Sequence, residues 1–194
     1  MKFDVDDATP LPDWSGMPGV ASVGDAEVRE LDARYLDTDD LALAHAGYAL
    51  RRRTGGGDEG WHLKGPRTGD SRVELHWPLG DGSDPLDVPP AVRAEIAPMA
   101  RAPLSLVARI RNTRTAYALL DTDGGLVAEF VDDRVTATDE RVGVDRGWRE
   151  WELELGPAAP ADSAAFFAAA EAAVRAAGGR VAASASKLAR ALGA

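Results

Sequence analysis

Apolar and charged residues alternate with a period of two through most of the chain from about residue 26 to residue 155, and this limits the fold more than any other feature. In residues 71–77 one set of alternate positions is apolar and the other charged (Val73, Leu75 and Trp77 against Arg72, Glu74 and His76). Because successive side chains of a strand point to opposite faces of a sheet, such segments predict strands with one apolar and one charged face. We therefore expect mainly antiparallel β structure.

Turn-forming residues divide this region into separate strands. The alternating runs predict strands at residues 27–35, 48–54, 60–64, 72–77, 106–120, 125–135 and 148–155, and a short strand at 2–5. Helices are predicted at 39–46 with Asp37 or Thr38 as the cap, at 89–100, from the Asp162-Ser163 cap to Ala177, and at 186–192. The chain has no internal repeat, which predicts one domain over residues 1–194.

Composition excludes several classes of function. A net charge of -10 argues against general nucleic-acid binding, which needs a basic surface, but a local cationic cavity for a small polyanion remains possible. No apolar run approaches the roughly 20 residues that a membrane span needs, and the first residues lack the apolar core of a signal peptide. With no Cys, the chain has neither disulfides nor thiolate metal ligands, and we expect a cytoplasmic protein.

The charged faces allow two interpretations. They could be the solvated side of a half-exposed sheet, or they could line the inside of a barrel whose apolar outer face is covered by helices. Their charge differs in sign between strands, cationic near residues 51–64 and anionic near residues 150–154. This difference favours the barrel, because Arg and Lys bind phosphate oxygens whereas hard cations such as Mg²⁺ are bound by carboxylates.

Several short segments, in this order and spacing, resemble the CYTH family, the triphosphate tunnel metalloenzymes. They are Tyr35-Leu36-Asp37-Thr38, Leu50-Arg51-Arg52-Arg53, Gly60-Trp61-His62-Leu63-Lys64, Arg72-Val73-Glu74, Thr113-Arg114, residues 129–135, residues 148–155 and Ser186-Lys187-Leu188. The resemblance implies an α+β fold: an eight-stranded antiparallel β-barrel, or tunnel, with a charged interior and flanking helices. Such a tunnel binds a triphosphate-bearing substrate.

The resemblance also implies a set of site residues. The cationic phosphate ligands would be Lys2, Arg51, Arg53, Lys64, Arg72, Arg114 and Lys187. The ligands of one or two Mg²⁺ or Mn²⁺ ions would be Glu74, Glu129, Glu150 and Glu152. Asp133 is an alternative to Glu129 if a bulge shifts the register, and Glu154 lies one step further along its strand. No catalytic residue is assigned: Glu74 or Glu150 could orient water, and His62 and His76 could transfer protons or simply be hydrogen-bonded.

The start of the chain departs from the family pattern. The family's N-terminal strand reads Glu-x-Glu-x-Lys, and Lys2-Phe3 aligns with its end, so both glutamates would precede Met1. These glutamates bind metal in the family. We therefore expect either a chain start that is misplaced or trimmed, or a member that binds polyphosphate without efficient hydrolysis.

Three functions follow as hypotheses. The first is a divalent-metal-dependent phosphohydrolase acting on inorganic triphosphate, polyphosphate or an organic triphosphate, and the second is a non-catalytic polyphosphate-binding module. The third is an adenylate cyclase, which would need a base pocket that no residue pattern marks. All three predict a triphosphate or polyphosphate ligand, with neither nucleic acid nor a membrane as partner; a homodimer remains possible because relatives form them.

Overall fold

The computed structural model describes residues 1–68, 71–80, 82, 84, 86–184 and 186–193, and at positions 67, 68, 71 and 72 it describes the backbone alone. Ten strands lie within these residues: β1 (Lys2–Val5), β2 (Ser22–Val23), β3 (Glu27–Asp37), β4 (Ala49–Thr54), β5 (Gly60–Thr68), β6 (Ser71–Trp77), β7 (Ser105–Leu120), β8 (Leu126–Asp139), β9 (Val144–Leu155) and β10 (Arg180–Val181). The same residues form four helices: α1 (Ala42–His45), α2 (Pro90–Ile96), α3 (Ser163–Ala177) and α4 (Lys187–Ala191). None of these helices is both long and apolar enough to span a membrane.

The strands form one sheet in the order β10-β1-β9-β8-β7-β3-β4-β5-β6, and β2 pairs with β7. The pairs β1–β9, β1–β10, β2–β7, β3–β4, β4–β5 and β5–β6 are all antiparallel. The predicted fold class, a mostly antiparallel sheet with few helices, is confirmed. Strands β2 and β10 were not predicted, because two residues are too few to show alternation.

Several strands are longer than predicted: β3 ends at Asp37 rather than at residue 35, β9 begins at Val144 rather than at residue 148, and β5 and β8 extend further for identifiable reasons. Strand β5 continues past Lys64 to Thr68, although Gly65-Pro66 is typical of a strand end. The register of β5 with β6 shifts between Lys64 and Arg67, and this bulge admits the proline without ending the pairing. Strand β8 continues to Asp139, because the turn that leads into β9 occupies only residues 140–143.

The chain divides into two compact units, each with its own core. The first, here called unit 1, comprises Met1–Arg29, Asn112–Val135 and Gly147–Ser186. Its core contains Phe3, Phe130, Trp151, Leu153, Phe166 and Val174. Helix α3 supplies the last two of these side chains. As predicted, Asp162 caps this helix by accepting a hydrogen bond from the N–H of Ala165 (2.9 Å), and Gly178 ends it in the left-handed region (φ 102°).

The second, unit 2, comprises Glu30–Arg111, Thr136–Arg146 and Lys187–Ala194. Its core contains Leu36, Leu43, Leu50, Trp61, Leu63, Val92 and Ile96. The sequence predicted a helix at 39–46 capped by Asp37 or Thr38, but α1 begins at Ala42 and its N-cap residue is Leu41, which makes no side-chain capping hydrogen bond. The side chains of Asp37 and Thr38 nevertheless accept hydrogen bonds from amides of this helix. Thr38 Oγ1 accepts from Ala42 N (2.9 Å), while the Asp37 carboxylate accepts from Leu43 N (2.9 Å) and from the following amide. That residues 1–194 form one domain stays a prediction.

Candidate functional site

In unit 1, strands β1 and β9 bring three charged side chains together. Lys2 lies directly opposite Glu152 in the antiparallel register. Glu150 lies two residues before Glu152 on the same face of β9, because side chains alternate along a strand. Alternation along β9 puts both glutamates on one face, as the sequence predicted, and the register of β1 with β9 adds Lys2 to that face.

Strand β8 adds a third carboxylate to this surface. Asp133, Glu150 and Glu152 are 0%, 4% and 7% exposed, and each offers an oxygen within 4.8 Å of the oxygens of the other two. We call these three residues the acidic cluster. Oxygen atoms are the ligands that Mg²⁺ and Mn²⁺ prefer, so the cluster has the chemistry of a divalent-cation site.

Two cations hold the acidic cluster. Lys2 Nζ lies 3.4 Å from Glu150 Oε1 and also contacts the Glu152 carboxylate. The guanidinium of Arg114 donates two hydrogen bonds to Asp133, both 2.8 Å long, and lies 3.6 Å from Glu152 Oε2. These five groups carry three negative formal charges and two positive ones. Carboxylates that converge this closely repel one another, and a bound divalent cation would reduce that repulsion.

The charge of Arg114 is secured by its partners. Burial alone would lower the pKa of this guanidinium, but the hydrogen bonds and charge of Asp133, with a contribution from Glu152, raise it above its ordinary value. Arg114 therefore keeps its charge under all ordinary conditions. A permanent cation beside the acidic cluster can balance a carboxylate or contact a phosphate oxygen.

Two other predicted carboxylates lie outside the cluster. Glu129, on β8, instead receives two hydrogen bonds from the guanidinium of Arg29, at 3.0 Å and 3.2 Å. Asp133 occupies the place in the cluster for which the sequence offered it as an alternative. Glu154 is exposed and is likewise not a member of the cluster. The roles of these carboxylates in binding a metal stay predictions.

In unit 2, adjacent strands gather the predicted phosphate ligands. Arg51 and Arg53 lie two residues apart on β4, and Lys64 lies on β5. We call these three residues the cationic cluster. In the register, Arg51 lies opposite His62 and Lys64 lies opposite Glu74.

Glu74 is the carboxylate that partly neutralises the cationic cluster. Its oxygens lie 3.3 Å from Lys64 Nζ, 3.9 Å from Arg51 Nη2 and 3.2 Å from His62 Nδ1. The hydrogen bond with His62, helped by the charges of Lys64 and Arg51, outweighs partial burial and lowers the pKa of Glu74 to about 2. Glu74 is therefore ionised at neutral pH, so it acts as an internal anion.

The histidine beside Glu74 is more deeply buried than the sequence suggested. His62 is 2% exposed, and its second ring nitrogen lies 2.9 Å from the carbonyl oxygen of Asp58. Burial lowers the pKa of His62; Glu74 opposes this shift, whereas the charges of Arg51 and Arg53 add to it. Both ring nitrogens face oxygen acceptors, and these contacts fix the orientation of the imidazole.

The other cations of unit 2 have different surroundings. Arg53 is buried, and its guanidinium contacts the Asp58 carboxylate and the carbonyl oxygen of the same residue. Tyr35 lies opposite Arg51, and although burial raises the pKa of its phenol, the positive charges of Arg51, Lys64 and Lys187 lower it overall. Lys187, at the start of α4, thus lies close enough to act on this phenol. The predicted ligand Arg72 has a side chain outside the described residues.

A cavity of about 390 Å³ lies elsewhere in unit 1. It is lined by Leu11, Trp14, Val20, Tyr117 and Phe130 among others, and its described lining includes no Lys or Arg. Phe130 lies three residues from Asp133 on β8, which places it on the opposite face of the strand. This cavity therefore lacks the chemistry to bind a polyphosphate.

Comparison with known proteins identifies the family. A model of the CYTH domain matches residues 20–190. The chain belongs to the CYTH domain family. This family binds triphosphate-type substrates and depends on metal, and the resemblance stated from the sequence motifs is confirmed.

Relatives support the same assignment. Two uncharacterized Mycobacterium tuberculosis proteins, MT2285 of strain CDC 1551 and Rv2226 of strain H37Rv, are each 40% identical to this chain. The match covers 79% of this chain but only 32% of each relative, so the chain spans about a third of their length.

Solved structures match the fold. HpAC1 from Hippeastrum, a candidate adenylyl cyclase reported to have a dominant triphosphatase activity, has a TM-score of 0.56 and 14% identity, with 86% of this chain and 83% of that chain covered. A candidate adenylate cyclase from Bacillus halodurans has a TM-score of 0.51 and 15% identity, with coverage of 84% and 82%. The antiparallel sheet of this chain thus matches the tunnel fold of the family.

Proposed function

We propose that this chain is a divalent-metal-dependent phosphohydrolase that acts on inorganic triphosphate, polyphosphate or an organic triphosphate. The observation that carries the proposal is the buried acidic cluster, in which an oxygen of each of three carboxylates lies within 4.8 Å of the other two. A cluster with this charge and these oxygen ligands suits Mg²⁺ or Mn²⁺. Membership of a family that binds triphosphates supplies the class of substrate.

The cationic cluster is proposed to bind the phosphate groups. Arg51 is mostly buried, and within the described part of the chain its Nε atom has no hydrogen-bond partner. A buried N–H group without an acceptor destabilises the folded protein. An oxygen of a bound phosphate would supply the missing acceptor and remove this cost. Arg53 and Lys64 add two further charges, and Lys2, Arg114 and Lys187 are proposed as additional ligands.

The proposed reaction is hydrolysis of the terminal phosphoanhydride bond. A water oxygen bonds to the terminal phosphorus, the bond from that phosphorus to the bridging oxygen breaks, and the bridging oxygen leaves with the electron pair of that bond. The proton that the water loses passes to the departing phosphate or to solvent. A divalent ion on the acidic cluster would supply neutralisation of the phosphoryl oxygens. The arginines and lysines position the substrate and balance its negative charge. The residue that orients the water remains either Glu74 or Glu150.

Phosphate release from tripolyphosphate, measured with Mg²⁺, with Mn²⁺ and with excess chelator, tests the proposal. We expect release that depends on the metal, and its loss in Glu152→Gln, which removes a carboxylate of the acidic cluster. The triphosphatase activity reported for HpAC1 makes tripolyphosphate the first substrate to examine. Turnover no faster than the blank, with binding of tripolyphosphate retained, would reject the hydrolase.

A non-catalytic polyphosphate-binding module is the second candidate. The observation in its favour is that Lys2 and Arg114 already contact all three carboxylates of the acidic cluster, so a metal ion must compete with them. Metal-independent binding without phosphate release would support it. Assaying cyclic AMP formation from ATP in the same series tests the adenylate cyclase, and the cytoplasmic location stays a prediction.

A further inference from the structure

An indole N–H contacts the acidic cluster directly. Trp148 lies on β9 two residues before Glu150 and on the same face, and its Nε1 donates a hydrogen bond of 2.6 Å to Glu150 Oε2. The ring is half-buried, while Glu150 is buried. This tryptophan begins the segment 148–155 that carries part of the family resemblance, but nothing in the alternating pattern distinguishes a polar contact from a packed ring.

The two oxygens of Glu150 have donors of different character. Lys2 Nζ lies 3.4 Å from Oε1 and brings a positive charge, which competes with a metal ion for the same carboxylate. The indole N–H on Oε2 is neutral, so it fixes the orientation of the carboxylate without reducing its negative charge. A carboxylate offers about four lone-pair sites, so a hydrogen bond to one of its oxygens does not by itself exclude a cation.

We propose that Trp148 is a positioning residue that holds Glu150 in the orientation needed to bind a divalent cation. The inference rests on the metal site of the proposed function. Partners that hydrogen-bond to metal ligands orient those ligands, and their loss typically lowers metal affinity by about 10–100-fold. Indole suits this role because only two side-chain torsions need to be ordered.

The test is Mn²⁺ affinity of the full chain without substrate, measured by electron paramagnetic resonance and by calorimetry. Trp148→Phe keeps an aromatic ring but removes the N–H, and we expect its Kd for Mn²⁺ to rise by about 10-fold. Trp148→His restores a ring N–H at this position and should recover part of the loss. The unfolding temperature of Trp148→Phe should stay close to that of the wild type.

Trp151→Phe provides a matched control. Trp151 Nε1 also donates to a carboxylate of unit 1, Asp132 Oδ1 at 3.1 Å, but this aspartate is not in the acidic cluster. The control therefore removes the same chemical group from the opposite face of β9. We expect Trp151→Phe to lower the unfolding temperature and to leave the Kd for Mn²⁺ unchanged.

A second measurement uses the wild-type protein alone, so it does not depend on whether a variant folds. In the ¹⁵N–¹H spectrum of the wild type, the indole resonance of Trp148 should shift when Mg²⁺ is added, and that of Trp151 should not. If the wild type binds Mn²⁺ but Trp148→Phe binds it equally well, or if the Trp148 resonance does not respond, the positioning role is wrong and the metal site stands. If the wild type binds no divalent ion, the proposed function fails, and the inference fails with it.

Discussion

Two adjacent aspartates on β8 make nearly identical ion pairs on opposite faces of the strand. Asp132 receives two hydrogen bonds from Arg149, of 2.8 Å and 2.9 Å, and Asp133 receives two from Arg114, both 2.8 Å. Their surroundings differ. The guanidinium of Arg149 also donates to the carbonyl oxygens of residues 6, 7 and 9 and lies 5.4 Å from the centre of the Trp151 ring, whereas Arg114 lies beside two more carboxylates.

This difference in surroundings suggests that the Asp132–Arg149 pair is structural, whereas the Asp133–Arg114 pair belongs to the proposed divalent-cation site. Around Arg149, the remaining donors of the guanidinium bind the segment that follows β1. Around Arg114, oxygens of three carboxylates converge within 4.8 Å, an arrangement that suits a divalent cation. The hydrogen bonds of the two pairs are alike; the convergence of further carboxylates on Asp133 distinguishes them.

The largest effect is expected from Arg149→Ala. It leaves Asp132 poorly paired beside buried apolar side chains and frees three backbone carbonyls, so we expect a loss of about 3–5 kcal/mol in the free energy of unfolding. Urea unfolding monitored by circular dichroism measures this loss. Because the charge balance of the acidic cluster is unchanged, Mg²⁺ should stabilise this variant and the wild type equally. A cost near zero would show that the network is not important for stability.

A smaller loss of stability, about 2–3 kcal/mol, is expected from Arg114→Ala, because the buried Asp133 loses the two hydrogen bonds from Arg114. The variant also loses a positive charge beside the acidic cluster, so Mg²⁺ should raise its unfolding temperature more than that of the wild type. Thermal unfolding with increasing Mg²⁺ measures this difference. If Mg²⁺ raised the unfolding temperatures of Arg114→Ala and Arg149→Ala equally, the two faces of β8 would not differ in their response to a divalent cation, and the comparison would be wrong.

Strand β4 offers the same comparison between neighbouring arginines. Arg51→Ala should weaken binding of tripolyphosphate by about 2 kcal/mol, or roughly 30-fold in Kd, because a charge-assisted hydrogen bond is lost. Calorimetry in the presence of Mg²⁺ gives this Kd. The matched control is Arg52→Ala, since Arg52 points to the other face and donates to the carbonyl oxygen of Gly82 (3.3 Å). Similar losses in both variants would contradict the assignment of the faces.

The sequence predicted the strands and their faces because alternation follows directly from strand geometry. It could not choose between Glu129 and Asp133, since these residues lie four apart on one face of β8 and only the distant Arg29 distinguishes them. The burial of His62 was equally hidden, because it depends on the Asp58 loop and on Glu74. Contacts between residues far apart in sequence leave no periodic signal.

The smallest effect is expected from Glu74→Gln, which tests whether the charged face of unit 2 contributes to stability. The pKa of Glu74 is lowered from 4.5 to about 2, mainly by the hydrogen bond with His62 and by the nearby Lys64 and Arg51. A lowered carboxyl pKa stabilises the folded state above pH 4.5, and this stabilisation is lost as the pH falls towards 2. The wild type should therefore lose stability more steeply than Glu74→Gln across this window, as chemical unfolding at successive pH values would measure.

The effect should be modest, because 39% of the Glu74 side chain is exposed and water screens its charges. If the free energy of unfolding changes with pH equally in Glu74→Gln and in the wild type, the charge of Glu74 is screened by water and gains little from Lys64, Arg51 and His62. The charged face of unit 2 would then resemble an ordinary solvated surface. Of the two units, only unit 1 would then show, at Asp132 and Asp133 on β8, charged groups whose surroundings determine their role.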